Sequence, residues 1–381
     1  MEDLARLRER IDAIDHQMLA LFQERMDCAE GVAAYKRERG LPILDRSRER
    51  RVVASAAAEV PPELKSYAEV LMQLLMEASR MRQGERNYDT GPILDRVDAA
   101  LKDGPGYFPQ DAYVACQGVE GAFSQMACDR LFKHADISFF DSFDAVFRAV
   151  EEGYCEFGVL PVENSTAGSV NQVYDLMMRH DFKVVRSCRL KIDHNLLAKP
   201  GCGLESISDV YSHEQALSQC EGFLSSLHGV RTHVVENTAI ASRMVAESER
   251  DDVAALASRS CAELYGLDTL ARSVQDRDNN YTRFACITRD LRIYPGADRS
   301  SLMLVVSHEP GSLYRVLSKL HALDINILKL ESRPIPDRDF EFMFYFDVEC
   351  PVGAPELRRL LLTLGDVCDE VRYLGSYSEV V

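Results

Sequence analysis

The sequence lacks the features that characterise membrane, secreted and metal-binding proteins. It contains no run of about 18 apolar residues, the minimum for a helix that spans a membrane. The N-terminal stretch, MEDLARLRER, is charged from its second residue and has no apolar core of a signal peptide. The eleven cysteines include no C-x-x-C pair, and neither they nor the nine histidines cluster at the spacing of metal ligands. We therefore expect a cytoplasmic protein with reduced thiols, without a membrane, metal or cofactor partner.

Positive charge is also scarce. The 381 residues include 44 lysines and arginines against 61 aspartates and glutamates, which gives a formal net charge of −17. This deficit argues against nucleic acid as a partner. Residues 1–90 are the exception, with 15 basic against 17 acidic residues, so cations are concentrated near the N-terminus. The length predicts two or three domains.

The N-terminal segment has the pattern of an all-helical bundle. Residues 2–39 predict one long helix ended by Leu41-Pro42, because its seam residues recur at alternating steps of three and four. The seam comprises Leu4, Leu7, Ile11, Ile14, Met18, Leu21, Arg25, Cys28 and Val32. Arg25 occupies a position that should be apolar, where a cation needs an anionic partner. Two more helices are expected, one from near Asp45 to Pro61 and one over about 62–83 that stops near Gly84.

Cations on the first helix point to a small polyanionic ligand. At about 1.5 Å rise per residue, Arg25 and Lys36 lie about 17 Å apart on one helix face, so both side chains can reach a ligand between them. Arg8 lies about 25 Å from Arg25 by the same rise. Arg8 is therefore either a solvated helix charge or a contribution from a second chain packed antiparallel.

This segment resembles the all-helical chorismate mutases over roughly residues 4–84. The resemblance rests on Leu7-Arg8-Glu9, Glu24-Arg25, Lys36, Asp45-x-x-Arg48-Glu49 and Ser79-x-x-x-Gln83. It implies catalytic roles for Lys36 and Gln83, as donors to the ether oxygen, and for Glu49, which would hold the substrate hydroxyl. The substrate-binding residues it implies are Arg8 from the partner subunit, Arg25, Asp45, Arg48 and Ser79. A pericyclic rearrangement needs no nucleophile, only a compact conformer and stabilisation of the breaking C–O bond.

After a loose stretch, the middle of the chain alternates strands with helices. We interpret residues 89–110 as a linker with a short helix possible at 93–101. Residues 111–290 predict a two-lobed, periplasmic-binding-protein-like α/β domain, with lobes of about 111–188 plus 272–290 and 189–271. Such lobes bind small molecules in their cleft. From Gly158 to Leu176 a strand leads through a polar loop into a helix whose N-terminus suits either a carboxylate ligand or an ordinary cap.

The region 111–290 resembles prephenate dehydratase. The resemblance rests on Glu163-Asn164-Ser165, Tyr211-Ser212-His213-x-Gln215, Gln219 and Asn280-x-Thr282-Arg283-Phe284. It implies that Thr282 is central to catalysis. The further catalytic residues it implies are Glu163, Asn164 and Gln219, and the substrate-binding residues are Ser165, Ser212, His213, Gln215, Arg283 and Phe284.

The reaction that this resemblance implies is the loss of CO2 and water from prephenate to form phenylpyruvate. It needs a proton donor for the leaving hydroxyl and a grip on the side-chain carboxylate. The donor is left open among Thr282, Glu163 and His213. Arg283 is either the carboxylate grip or a member of a structural ion pair.

The last segment, 298–381, has the element order β–α–β–β–α–β of a ferredoxin-like α+β sandwich. It resembles an ACT domain, a small amino-acid-sensing module. The phenylalanine-binding motifs of dehydratases in this family are matched by Gly311, Ser312 and Leu313 and by Glu331, Ser332, Arg333 and Pro334. The resemblance implies feedback inhibition by L-phenylalanine, bound between two subunits.

Together these segments predict a multidomain, bifunctional enzyme of phenylalanine biosynthesis, which rearranges chorismate to prephenate and converts prephenate to phenylpyruvate. The expected boundaries are 1–88, a linker 89–110, 111–290 and 298–381, and the expected assembly is a homodimer or larger. One alternative is a monofunctional prephenate dehydratase whose helical domain is only regulatory. Another is a two-lobed sensor without enzymatic activity.

Overall fold

The computed structural model describes residues 3–41, 45–87, 91–336, 338 and 341–381, without the side chains of residues 46 and 84–87. Its contacts divide the chain into two compact units. The first consists of Met1–Asp95, Gly311–Asp324 and Gly353–Asp369, and the second of Arg96–Pro310, Ile325–Val352 and Glu370–Val381. Within the described ranges, no helix is both long and apolar enough to cross a membrane.

The described helices are numbered here in chain order. They are α1 (Leu4–Glu38), α2 (Arg46–Ala58), α3 (Lys65–Asn87), α4 (Pro92–Lys102), α5 (Phe123–Leu131), α6 (Phe143–Glu151), α7 (Asn171–Arg179), α8 (Glu214–Gln219), α9 (Glu221–Ser226), α10 (Thr238–Glu247), α11 (Arg259–Tyr265), α12 (Ser312–Ala322) and α13 (Pro355–Thr363). Short 3₁₀ turns occur at Pro62–Leu64, Leu204–Ser206 and Leu364–Asp366.

The described strands follow the same numbering. They are β1 (Asp111–Gln117), β2 (His134–Phe140), β3 (Phe157–Asn164), β4 (Gly168–Ser169), β5 (Lys183–Lys191), β6 (Asn195–Ala198), β7 (Asp209–Ser212), β8 (Arg231–Val234), β9 (Val253–Ala257), β10 (Asp268–Ala271), β11 (Tyr281–Thr288), β12 (Arg299–Val305), β13 (Asn326–Pro334), β14 (Phe342–Glu349) and β15 (Glu370–Val380).

In the first unit, α3 is the common partner of α1, α2 and α13. The helix α1 is 35 residues long and buries Ala29 and Ala33 in its C-terminal third. Its N-terminal seam is open to solvent in the single chain, since Leu4, Ile11 and Leu21 are 60%, 55% and 64% exposed. The seam that the heptad pattern predicted therefore exists as a continuous exposed apolar face.

One predicted helix boundary is wrong. The third helix does not stop near Gly84 but continues to Asn87, because an internal glycine costs a helix only about 1 kcal/mol relative to alanine. In the second lobe, Cys220 separates α8 from α9. The first helix ends at Glu38, and Pro42, which was expected to end it, lies outside the described residues.

The second unit contains two sheets. One has the order β13-β14-β12-β15-β5-β11-β3-β1-β2, with β4 added on β3, and the other has the order β10-β6-β9-β7-β8. The first sheet is continuous because β15 pairs in parallel with β5, Ser378–Val380 lying against Arg186–Cys188. The C-terminal strands thus share a sheet with the first lobe of the α/β region, which the sequence did not predict.

Alternating side chains place an apolar core on each face of this long sheet. Ala115, Leu160 and Ile287 belong to one buried cluster, whereas the flanking Cys116 and Val159 belong to another. Neighbouring residues of a strand point to opposite faces, so the two clusters lie on opposite sides. Both faces are therefore covered, and polar groups on these strands have few positions from which they can reach solvent.

Gly375 is the residue at which β15 approaches β5 most closely. Its φ is +140°, and a Cβ atom there would overlap the carbonyl oxygen of Val184. We expect Gly375→Ala to lower the free energy of unfolding by about 1–3 kcal/mol or more, as overpacking does. The measurement is the midpoint of urea unfolding. The matched control is Gly203→Ala, where the added atom meets open space; equal midpoints for both variants would contradict the prediction.

Candidate active sites

The paired strands β3 and β11 form one wall of the predicted dehydratase site. Their antiparallel register places Thr282 opposite Asn164 and Arg283 opposite Glu163. Asn164 is buried, and its Nδ2 donates to the Oγ1 of Thr282 at 2.9 Å and to the Oδ1 of Asn280 at 2.8 Å. The amide of Asn164 is therefore held in one orientation by two acceptors from β11 and the loop before it.

Gln219, at the end of α8, extends this network from the other lobe. Its Nε2 donates to the Oγ1 of Thr166 at 2.9 Å, and its Oε1 accepts from the Nδ2 of Asn280 at 2.7 Å. Thr166 in turn donates to the Oδ1 of Asn164 at 2.7 Å. The structure thus joins three predicted catalytic residues, Asn164, Gln219 and Thr282, into one hydrogen-bond network.

Three members of this network were missed from the sequence. Asn280 stands two residues before Thr282 in the quoted motif, so the period-2 rule for strands could have placed both on one face. Thr166 lies in the polar loop after Asn164 and could have been found as a neighbour of the motif. His194 has no motif around it, and no signal in the sequence marks it.

His194 closes the network on the side away from β3. Its Nε2 is 3.1 Å from the Oε1 of Gln219, which can only accept, so Nε2 carries a proton. The imidazole is buried, and burial lowers the pKa of His194 below its ordinary value although the bond to Gln219 and the charge of Asp193 oppose this. His194 is thus a neutral donor that fixes the orientation of the Gln219 amide.

A cleft of about 730 Å³ lies beside this network. Its lining includes Thr166, Gln219 and Asn280 from the network and the predicted binding residues His213 and Gln215. The His213 ring caps α8, since its Nδ1 accepts from the backbone N–H of Gln215 at 3.2 Å. Arg277 also lines the cleft and is a cation that the sequence analysis did not name.

Four predicted binding residues, Arg283 among them, are not brought to the cleft lining. Ser212 is fully buried, and its hydroxyl donates to the carbonyl of Leu256 at 2.7 Å. Phe284 is 2% exposed and belongs to the apolar cluster on one face of the long sheet. The Oγ of Ser165 is bonded to backbone groups. It donates to the carbonyl of Asn279 at 2.5 Å and accepts from the backbone N–H of Tyr281 at 2.9 Å.

Glu163 and Arg283 occupy the opposite face of the β3–β11 pair from Asn164 and Thr282. The Nη2 of Arg283 donates to the Oδ2 of Asp347 at 2.5 Å, and its Nε is 3.8 Å from the Oε2 of Glu163. Burial opposes the charge of Arg283, but the carboxylate of Asp347 together with Tyr377 and Tyr174 outweighs this effect and raises the pKa of Arg283 above its ordinary value. Of the two roles left open for Arg283, the geometry favours the ion pair.

The predicted mutase residues lie on the three N-terminal helices. Arg25 donates from Nη1 to the Oγ of Ser79 and to the carbonyl of Leu75, the latter at 2.6 Å. Burial lowers the pKa of Arg25 below its ordinary value. Gln83, one turn after Ser79 on α3, is 7% exposed, and its Oε1 has no hydrogen-bond partner among the described residues. These three side chains therefore form a polar cluster between α1 and α3.

The remaining mutase residues are more dispersed. Asp45 accepts the backbone N–H of Arg48 at 3.0 Å and so caps α2, while the Arg48 side chain is exposed. Lys36 is half-buried and Arg8 is exposed. Glu49 accepts from the Nη1 of Arg80, a half-buried cation that was not predicted as a site residue. No local pattern links residues 31 positions apart, so only the packing of α2 on α3 reveals that pair.

The two effector motifs fall in different units. Gly311 precedes α12 with a φ of +85°, and Ser312 is buried and accepts from Arg315 at 2.8 Å. Leu313 is half-buried. In the second unit, Glu331, Ser332, Arg333 and Pro334 end the edge strand β13, with Ser332 and Pro334 exposed and the other two half-buried.

Comparison with known families matches the chain in three successive parts. The model of Chorismate mutase type II matches residues 7–84, that of Prephenate dehydratase residues 114–292 and that of the ACT domain residues 300–366. The fold classes predicted for the three parts are confirmed. The mutase match also favours the bifunctional interpretation over a monofunctional dehydratase.

Similar proteins match either nearly the whole chain or about 70% of it. The bifunctional chorismate mutase/prephenate dehydratase of Escherichia coli K12 is 30% identical over 98% of this chain and 96% of its own length. Arogenate dehydratase/prephenate dehydratase 2 of Arabidopsis thaliana is 36% identical over 69% of this chain and 72% of its length. A solved prephenate dehydratase from Arthrobacter aurescens, in complex with L-Phe, shares the fold at 23% identity and a TM-score of 0.65, covering 70% of this chain and 89% of that one.

The order of the three domains and the full-length match to a bifunctional enzyme agree with the grouping of predicted residues described above. The chain is an enzyme that belongs to the bifunctional chorismate mutase/prephenate dehydratase family and carries a C-terminal ACT regulatory domain.

Proposed function

We propose that prephenate is converted to phenylpyruvate in the cleft beside Asn164, Gln219, Asn280 and Thr282. The observation that carries this proposal is the direction of the Asn164–Thr282 hydrogen bond. Because Nδ2 of Asn164 donates to Oγ1 of Thr282, the hydroxyl proton of Thr282 points elsewhere. Within the described residues nothing accepts that proton, so it is available for a hydrogen bond that stabilises the departing hydroxyl of the substrate.

In this mechanism the network orients rather than reacts. Asn164, which also donates to Asn280, holds Thr282 from one side. Gln219, fixed by His194, ties the second lobe to Thr166 in the loop after β3. Arg277, His213 and Gln215 at the cleft lining are the groups available to the substrate carboxylates. Loss of CO2 neutralises the ring carboxylate, a step that a poorly solvated cleft assists.

We propose that chorismate is rearranged in the helical segment of a homodimer. Arg25 and Ser79 form the centre of the site, with Lys36, Glu49, Gln83, Asp45 and Arg48 in the roles given by the resemblance. The exposed seam of α1 supports a second copy as its cover, because a single chain leaves large apolar side chains in water along most of that helix. An antiparallel partner helix would bring Arg8 of the partner subunit to the distant Arg25.

We propose L-phenylalanine as the effector of the ACT domain, through Gly311 to Leu313 and Glu331 to Pro334. The solved relative with bound L-Phe supports this choice of ligand. Glu331 offers a carboxylate to the ammonium group of an amino acid. The domain boundaries 1–88, 89–110, 111–290 and 298–381 remain a prediction. The eleven free cysteines support a reducing compartment such as the cytoplasm.

Thr282→Val removes the hydroxyl and keeps the shape of the side chain. We expect phenylpyruvate formation to fall by about 10²–10⁴-fold, the usual contribution of a positioned proton donor, with chorismate consumption unchanged. The matched control on the same strand is Thr288→Val, whose hydroxyl donates to the carbonyl of Asp290. Wild-type dehydratase rates in the Thr282 variant would remove this residue from the mechanism.

Arg8→Ala and Arg25→Ala test the shared mutase site. Each variant alone should lose at least about 100-fold in chorismate turnover, because one charge that stabilises the transition state is missing. When the two variants are mixed and re-associated, turnover should recover to about a quarter of the wild-type value. About half of the re-associated dimers contain one subunit of each variant, and each such dimer carries one intact site of two. No recovery, with mixed dimers demonstrated, would place both arginines in the same subunit's site.

Titration calorimetry tests the effector. We expect saturable binding of L-phenylalanine and inhibition of phenylpyruvate formation, with much weaker binding of 3-phenylpropionate, which lacks the ammonium group. Glu331→Gln should weaken binding by about 10- to 100-fold, the value of a charged hydrogen bond. The absence of any saturable heat with the wild-type chain would defeat the proposal.

A further inference from the structure

Glu163 faces away from the cleft network, although it is the residue next to Asn164. Successive side chains of a strand point to opposite faces, so Asn164 meets Thr282 while Glu163 turns toward β13. Its Oε1 accepts from the Nζ of Lys329 at 2.7 Å. In this position Glu163 does not touch a substrate in the cleft, but it is anchored to the same backbone as Asn164.

Lys329 is shared between Glu163 and the effector motif. Besides Glu163, its Nζ donates to the Oγ of Ser169 at 2.7 Å and lies 3.6 Å from the Oε2 of Glu331. Ser169 donates to that same Oε2 of Glu331. Ser169 also pairs with Glu163 across the β3–β4 ladder. The Lys329 side chain is only 14% exposed, and its ammonium group has three N–H donors. It therefore links the edge strand β13 to β3 and β4, the two strands that flank the cleft loop.

Two further ion pairs near Lys329 connect the C-terminal strands to the strands and helix around the cleft. Arg333 forms a bidentate pair with Asp175 on α7, at 2.7 and 2.9 Å. Arg283, whose Nε lies near Glu163, is paired with Asp347 on β14. Lys329 and Arg333 of β13 thus hold the segment from β3 to α7, and Asp347 of β14 holds the neighbouring strand β11 through Arg283.

This cluster is too tightly filled to be a binding pocket. The cavity lined by Lys329, Arg283, Asp347 and Tyr345 measures about 30 Å³. That volume corresponds to about one water molecule and excludes an aromatic substrate or effector. The charged groups around it can therefore act on the cleft only by positioning the strands that carry them.

We propose that Lys329 is a positioning residue for the dehydratase, through which the effector motif acts on Asn164. Lys329 holds Glu163, and with it the end of β3, in the arrangement that aligns Asn164 with Thr282. A cationic group that binds Glu331 competes with Lys329 and Ser169 for one carboxylate oxygen and so changes the hold on Glu163. The inference rests on the proposed dehydratase activity and its amino-acid effector.

The principal test compares Lys329→Met, which keeps the apolar stem, with Lys329→Arg, which keeps the charge. In Lys329→Met we expect the dehydratase kcat to fall by up to about 100-fold with KM nearly unchanged, because the reacting groups are misaligned and not lost. The L-phenylalanine concentration for half-inhibition should rise within the range of about 5- to 150-fold that allosteric coupling spans. Lys329→Arg should restore most of both properties.

The matched control is Lys199→Met, a partly buried lysine of the other lobe that pairs with Asp251 at 3.6 Å. It should leave both the kcat and the inhibition unchanged. Chorismate turnover and the unfolding midpoint report whether each variant is folded. Glu163→Gln provides a second route to the same test, and its combination with Lys329→Met should be no worse than either change alone, as expected for two ends of one contact.

The outcomes separate the two levels of the argument. A wild-type chain that forms no phenylpyruvate overturns the proposed function and this inference with it. A wild-type chain that is active and inhibited by L-phenylalanine, with Lys329→Met indistinguishable from it, overturns the inference alone. Failure of Lys329→Arg to restore a folded Lys329→Met phenotype overturns it as well, because the charge would then not be the cause.

Discussion

The parallel pairing of β15 with β5 is the constraint on which the second unit depends. Three residue pairs, Ser378–Val380 with Arg186–Cys188, turn two sheets into one. The contact is possible because Gly375 lets the two backbones approach without a side chain between them. Every strand from β13 to β3 is then hydrogen-bonded to its neighbours, so β13 cannot move far relative to β3 without breaking ladder bonds. Small side-chain rearrangements are what remains.

That constraint gives the two faces of β3 and β11 different tasks. On one face Asn164 and Thr282 meet the second lobe at the cleft, and on the other Glu163 and Arg283 meet Lys329 and its neighbours. In the function and control proposed above, two consecutive residues of a single motif therefore serve catalysis and its regulation. A displacement of Glu163 reaches Asn164 through one peptide bond, because the two residues are neighbours on β3.

The sequence was sufficient for the helices and lobes that follow from local periodicity and for the main members of the cleft network. The heptad steps predicted α1, and strand–helix alternation predicted the lobes that bring Gln219 to Asn164. It was insufficient where a contact joins distant segments without a repeated pattern, as in Arg80 with Glu49 and His194 with Gln219. The surroundings of Glu163 could not be predicted from the sequence either. Alternation along the strand places Glu163 and Asn164 on opposite faces of the sheet, but it does not tell which of those faces the C-terminal strands cover.

The first unit contains a buried charge that stability alone does not explain. Lys319 of α12 is fully buried, its Nζ is 3.5 Å from Glu77 of α3, and burial lowers the pKa of Lys319 below its ordinary value. Desolvating an ammonium group for one long contact costs more than the pair returns, so an apolar pair would hold the helices at least as well. We infer that this pair specifies how α12 packs on α3 rather than adding stability. Glu77 stands two residues before Ser79, so a C-terminal helix is tied by charge to the mutase helix α3, as the edge strand β13 is tied by charge to β3.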